Sequence, residues 1–145
     1  MWLSSTAQDA LRAVLHIADQ ADNRLVRVDE IAVALDCPRN YLSKTLHALT
    51  RAGVLRSERG PKGGFQLATP PESLPIALIV APFEPVSDRR CLFGRPECGG
   101  RNPCAAHHRW SGVASGVTDF FSGTMVSDLR KKKPAPRRKA ALKKS

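Results

Sequence analysis

The chain of 145 residues has no long apolar run and few acids beside its many bases. No stretch of about 18 uninterrupted apolar residues occurs, which argues against a membrane-spanning helix. The opening "MWLSSTAQDALRAVLHIADQ" carries Asp9, Arg12 and Asp19 within its apolar pattern. It lacks the basic start and unbroken apolar core of a secretory signal, so a cytoplasmic location is expected and no membrane partner. No nucleotide-binding glycine loop, nucleophile elbow or paired acid and base is found, so an enzyme is not expected. No internal repeat is visible.

Acid is scarce and unevenly placed. There are 13 Asp and Glu against 23 Lys and Arg, a net charge of +10. Nine of the basic residues fall in residues 130–145, "RKKKPAPRRKAALKKS", with no acid among them. That segment reads as a disordered tail able to add salt-dependent, sequence-blind affinity for nucleic acid. Within the remainder, residues 1–36 hold six acids and three bases. Residues 39–62 hold six bases (Arg39, Lys44, Arg51, Arg56, Arg59, Lys62) and one acid, Glu58. A local basic stripe points to nucleic acid more specifically than a high overall charge does.

Hydrophobic periodicity organises what is left. Residues 5–20 read as a helix, with Ser5 and Gln8 as a capping box and Leu11, Val14, Leu15 and Ala18 as its buried stripe. A short second helix follows, with Asp29 as N-cap and Ile31, Ala34 and Leu35 inward. Pro38 suits the start of a third helix, "RNYLSKTLHALTRAG", whose Leu42, Leu46 and Leu49 share one side. Asn40, Ser43, Lys44, His47 and Arg51 fall on the other side, and Gly53 is a natural stop. Two strand-like runs, "VLRSE" and "FQLA", flank the turn-rich "RGPKGG" and predict a hairpin with a positive tip. "LPIALIVAPFEP" reads as core, and Pro75 can open a short helix there. Residues 110–129 carry Trp110, Val113, Val117, Phe120 and Phe121 at helical spacing. Such a helix, late in a small chain, is expected to find its partner in a second subunit.

The fold class expected from this order is mostly α with a small β element (α+β). It is a winged helix-turn-helix with a C-terminal dimerisation helix. Three segments are expected: a DNA-binding domain over 1–74, a cysteine loop and dimer helix over 75–129, and the tail over 130–145. In a winged helix-turn-helix the third helix enters the major groove of double-stranded DNA. Asn40, Ser43, Lys44 and His47 are then the base-reading candidates. Arg51 would meet phosphate, and Arg59 and Lys62 at the wing tip would reach backbone or minor groove. The rival for each is a solvated helix face.

"CLFGRPECGGRNPCAAHH", residues 91–108, holds three of the four cysteines in the spacing C-x6-C-x5-C-x2-H. In a reducing compartment such a cluster favours metal over disulfide. Gly94, Gly99 and Gly100 permit tight turns, and Arg89, Arg90, Arg95 and Arg101 would favour thiolates. Cys37, at a helix junction, reads as a small buried residue.

"YLSKTLHALTRAGVLRSERGPKGGFQLA" resembles the recognition helix and wing of the IscR/NsrR-type family of transcriptional regulators. Its wing is Arg59-Gly60-Pro61-Lys62-Gly63-Gly64-Phe65. The resemblance covers roughly residues 2–129. It implies a homodimeric cytoplasmic transcriptional regulator acting on a DNA operator, and a repressor is the sign of regulation expected. In cluster-binding members three cysteines precede the dimer helix, and the matching positions here are Cys91, Cys98 and Cys104. His107 stands where one branch of the family places a fourth ligand. Other branches use an acidic residue early in the first helix, for which Asp9 is the candidate. The resemblance therefore implies an iron–sulfur cluster, [2Fe–2S] or [4Fe–4S], that senses redox state, nitric oxide or cluster supply. The first gap is one residue longer than the family's usual one, an insertion a glycine-rich loop tolerates. Zinc in a Cys₃His site is the second reading, and metal-free redox thiols the third. A nucleic-acid protein driven by the tail alone is a further alternative.

Overall fold

The computed structural model describes residues 3–86, 91–97 and 99–131. The chain forms six α-helices and one two-stranded antiparallel sheet among those residues. The segment 87–90, the residue Cys98 and the expected tail beyond Lys131 lie outside them.

Helix α1 spans Ser5–Ala18 and buries Ala7, Ala10, Ala13, Val14 and Ile17 completely. These five small or β-branched residues let the second, third and fourth helices approach it closely. The N-cap is Ser4, not Ser5: its hydroxyl accepts from the Ala7 N–H at 3.2 Å. Gln8 reaches back as expected, though as a donor to the Leu3 carbonyl. The cap moves one residue because Ser4, in extended backbone, presents its oxygen to the free N–H groups of the first turn.

Helix α2 spans Val28–Leu35 and buries Ile31, Ala32 and Leu35. Ala34 is exposed, so the inward face is one residue off the expected one. Asp29 is not the N-cap; Arg27 holds that position, and Asp29 ion-pairs with Arg39 from the first turn. A carboxylate there also suits the positive end of the helix. Asp36 ends α2 in left-handed backbone, φ 52°. Helix α3, Arg39–Arg51, begins after Pro38 and stops before Gly53, whose φ is 79°. Leu42, Leu46 and Leu49 are fully buried. Each contributes about 1.5–3 kcal/mol by leaving water.

Strands β1 (Leu55–Glu58) and β2 (Gly64–Leu67) pair in the register Leu55 with Leu67 and Glu58 with Gly64. Val26 adds a bridge to Phe65, donating and accepting at 2.8 Å each way. The wing is thereby stitched to the turn before α2.

Helix α4, Ile76–Val80, opens after Pro75 and buries Ile76, Ile79 and Val80. The last expected helix is two. Helix α5 spans His107–Gly123, and α6 spans Val126–Leu129. Thr124, in extended backbone, separates them. The Ile76 N–H donates to the Thr124 carbonyl and the Val126 N–H to the Leu74 carbonyl, both at 2.9 Å. Segment 124–126 is thus zipped onto segment 74–76. Of α5, only Phe121 is buried, while Val113 and Phe120 are half exposed, at 51% and 54%.

Candidate DNA-reading face and cysteine loop

On the outer face of α3, Asn40, Lys44, His47 and Arg51 are exposed and Ser43 is half-buried. Tyr41 turns inward, its hydroxyl donating to Thr6 Oγ1 at 2.8 Å, which ties the recognition helix to α1. Between α3 and the wing lies a groove of about 320 Å³. Ser43, His47 and Arg59 line it, joined by two cations the sequence did not single out as contacts, Arg27 and Arg39. Arg27 donates to the Pro61 carbonyl at the wing tip, so it braces the wing against the start of α2. Arg39 is held by Asp29. Arg39's place in the basic stripe hinted at this, whereas Arg27 lies in the acid-rich segment 1–36 and gave no signal; the return of the wing over α2 is a tertiary event. The His47 ring meets the Phe65 ring edge to face at 5.6 Å. Asn40, Lys44, Arg51 and Lys62 stay on the outer surface, clear of the groove.

The wing depends on two glycines. A Cβ on Gly63 would stand 2.2 Å from the Glu58 carbonyl oxygen. A Cβ on Gly64, at φ 154°, would stand 2.6 Å from the Val26 carbonyl oxygen. The close chain approach that makes the tip and the Val26 bridge leaves no room for any side chain.

In the cysteine loop, the Cys91 and Cys104 sulfurs approach to 3.7 Å, and both residues are buried. Both are free thiols, as is Cys37. Gly94, Gly99 and Gly100 all take positive φ, as tight turns require. The Arg95 side chain closes the loop by donating to the Asn102 carbonyl at 2.9 Å. Backbone N–H groups of Arg95 and Phe93 aim at the Cys91 sulfur and pull its pKa down, with Cys104 and the Arg95 charge helping against burial. A thiol held this way is readied as a thiolate ligand. Cys104 leads into α5: the His107 N–H donates to its carbonyl at 3.0 Å, which sets His107 one helical turn past it. The imidazole lies over Gly99, whose Cβ, if present, would stand 3.1 Å from the ring. His107 thus faces the loop backbone at Gly99. No three His, Cys, Asp or Glu side chains converge among the described residues, a set without Cys98.

Asp9 lies elsewhere in the subunit. It pairs with Arg12 at 3.1 Å, and Arg12 also donates to the Leu35 carbonyl at the end of α2. Burial, with help from the Asp9 charge, pushes the Cys37 thiol up.

A helix-turn-helix with a cationic, glycine-built wing defines a winged-helix DNA-binding protein. The family profile described as Rrf2, iron-dependent transcriptional regulator, matches residues 3–132. The chain belongs to that family, a family of transcriptional regulators rather than enzymes. It is 39% identical over 132 residues to a protein of Aquifex aeolicus assigned to the HTH-type transcriptional regulators, covering 89% of this chain and 91% of the other. It is 28% identical to the HTH-type transcriptional regulator IscR of Vibrio campbellii, covering 90% and 78%. CymR, the global cysteine regulator of B. subtilis, shares the fold with a TM-score of 0.77 at 21% identity, covering 91% of this chain and 98% of that one. No helix among the described residues is long and apolar enough to cross a membrane.

Proposed function

We propose that this regulator is a cytoplasmic homodimeric repressor whose operator affinity is set by an iron–sulfur cluster in the cysteine loop. The observation that carries this reading is the buried pair Cys91 and Cys104, 3.7 Å apart at the foot of α5. Two thiolates on one tetrahedral metal at about 2.3 Å stand roughly 3.8 Å apart, so the pair fits one iron or zinc as it lies. Cys98 and His107 complete a Cys₃His donor set, with His107 the first choice and Asp9 of a second subunit the other. Soft thiolates with one imidazole suit an iron–sulfur cluster.

When bound, the cluster supplies a link that oxidation or nitric oxide can break. The residues of the chain carry the rest. Arg95 clamps the loop, Cys104 and His107 connect it to α5, and the exposed Val113 and Phe120 offer a face to a second subunit. A change at the foot of α5 alters how two reading heads are spaced, and half-site spacing is a geometric condition for binding. Asn40, Ser43, Lys44 and His47 read bases in this scheme; Arg51, Arg59 and Lys62 grip the backbone. Residues 1–74 act as the head and residues 75–129 as the sensor arm.

Protein kept from oxygen is expected to show visible absorption, iron and sulfide, and to bind its operator with a different affinity after cluster removal. Equal affinity of loaded and stripped protein would sink the switch. The same 3.7 Å spacing equally suits structural zinc in Cys₃His, and zinc without iron or sulfide would establish that reading instead.

A further inference from the structure

The groove between α3 and the wing holds two arginines, Arg27 and Arg39, that neither base reading nor the wing tip accounts for. A helix in the major groove and a wing at the adjacent minor groove stand on either side of one phosphate backbone. That backbone must cross the groove between them. Arg59 lines the groove as well, and Glu58 is the acid among the lining residues.

Both arginines are exposed and keep donors to spare. A guanidinium presents a fork of N–H groups. Arg27 commits Nη1 to the Pro61 carbonyl, and Arg39 commits Nε to Asp29. No other hydrogen bond holds either guanidinium among the described residues. Asp29 holds Arg39 from the far side: it lines the neighbouring cleft between α2 and α3, which Arg39 also borders, and not this groove. The two side chains of that pair are 58% and 57% exposed, and an ion pair so open to water is weak. A phosphate can therefore take the free end of Arg39 without displacing a strong partner. Arg27 is the N-cap of α2 and Arg39 the first residue of α3, and neither helix has a side chain capping its first turn. Free backbone N–H groups thus add positive potential beside each arginine.

We propose that Arg27 and Arg39 clamp backbone phosphates of the DNA strand that passes between the recognition helix and the wing. The clamp reads no bases; it fixes the register of the head on the duplex, as phosphate contacts do. Arg27 joins the two reading elements, since the same guanidinium braces the wing through Pro61. A free anion or an acidic peptide matches the charge. Only a duplex seated on both α3 and the wing brings phosphates over the groove by its own shape. The inference rests on DNA binding by the head and is independent of which metal the cysteines hold.

The test compares the full chain with R27Q, R39Q and the double variant on two duplexes of equal length. One carries an operator recovered by in vitro selection; the other is scrambled. Salt is varied from about 50 to 200 mM. Each single variant is expected to bind both duplexes about tenfold more weakly. In the proposed dimer each arginine occurs twice, so each substitution should flatten the operator salt slope by about 2. R27K and R39K keep the charge and should restore most of that slope. Methylphosphonates, which remove a phosphate charge, are then scanned along the operator. At about one or two positions per half-site the neutral linkage should weaken the unaltered protein and leave the double variant unaffected. Unchanged affinity and slope in either single variant overturn the clamp. A loss on the operator alone, with the slope unchanged, makes the arginines props of the reading head and overturns it too. The same holds for a methylphosphonate profile common to both proteins. If the unaltered protein selects no duplex at all, DNA binding by the head fails and the clamp fails with it.

Discussion

Gly63 sits where a methyl group would collide with the Glu58 carbonyl at 2.2 Å, so G63A must open the wing tip. The expected cost is about 1–3 kcal/mol, seen as a lower melting midpoint, with loss of operator binding in gel shift. The cysteines separate by environment in the same way. C91S and C104S should abolish bound iron and sulfide, whereas C37S should keep both, because Cys37 lies beside Asp9 and Arg12 and not in the loop. Cys37 also answers to pH. Burial raises its pKa, so the unfolded thiol ionises before the folded one as pH rises. Stability should therefore decline through the mildly alkaline range, and C37A should flatten that decline in urea titrations from pH 7 to 10. Iodoacetamide should modify Cys37 more slowly than a free thiol over the same range.

Helix α3 joins two jobs on opposite sides. L46A removes a fully buried side chain under the reading face and should cost about 2–5 kcal/mol by denaturant unfolding. α1, α3 and the hairpin were legible because their apolar spacing, Gly53 and the turn-rich tip all agree with one another. The caps of α1 and α2 were not, since several neighbouring polar residues qualify and backbone geometry chooses among them. On α2 the inward face shifted from Ala34 to Ala32, because a helix of eight residues offers too few apolar positions to orient itself. The split at Thr124 was hidden as well: the helical spacing runs on past it, and only pairing with segment 74–76 breaks the helix. Of the site, the exposed α3 residues were readable from periodicity. Arg27 and Arg39 were not, because their place in the groove depends on the wing folding back over α2.

As a whole, the molecule buries its head thoroughly and leaves one side of α5 bare. Val117 and Phe121 pack on the core, while Val113 and Phe120 face outward. Exposed apolar residues in a row on a 17-residue helix suit the subunit interface of the proposed dimer. V113D together with F120D should give a folded monomer by sedimentation, with operator affinity reduced at least about a hundredfold because two half-sites are no longer held together. A dimer of unchanged stability would place the interface elsewhere.

The zipper between Leu74–Ile76 and Thr124–Val126 has a further consequence. It keeps α4 in the core on α1 and makes the stretch between α4 and α6 an excursion whose two ends return to the head close together. Insertions with neighbouring ends disturb their host little. On the proposed function, exchanging the part of that excursion outside the core would put one DNA address under the control of a different signal.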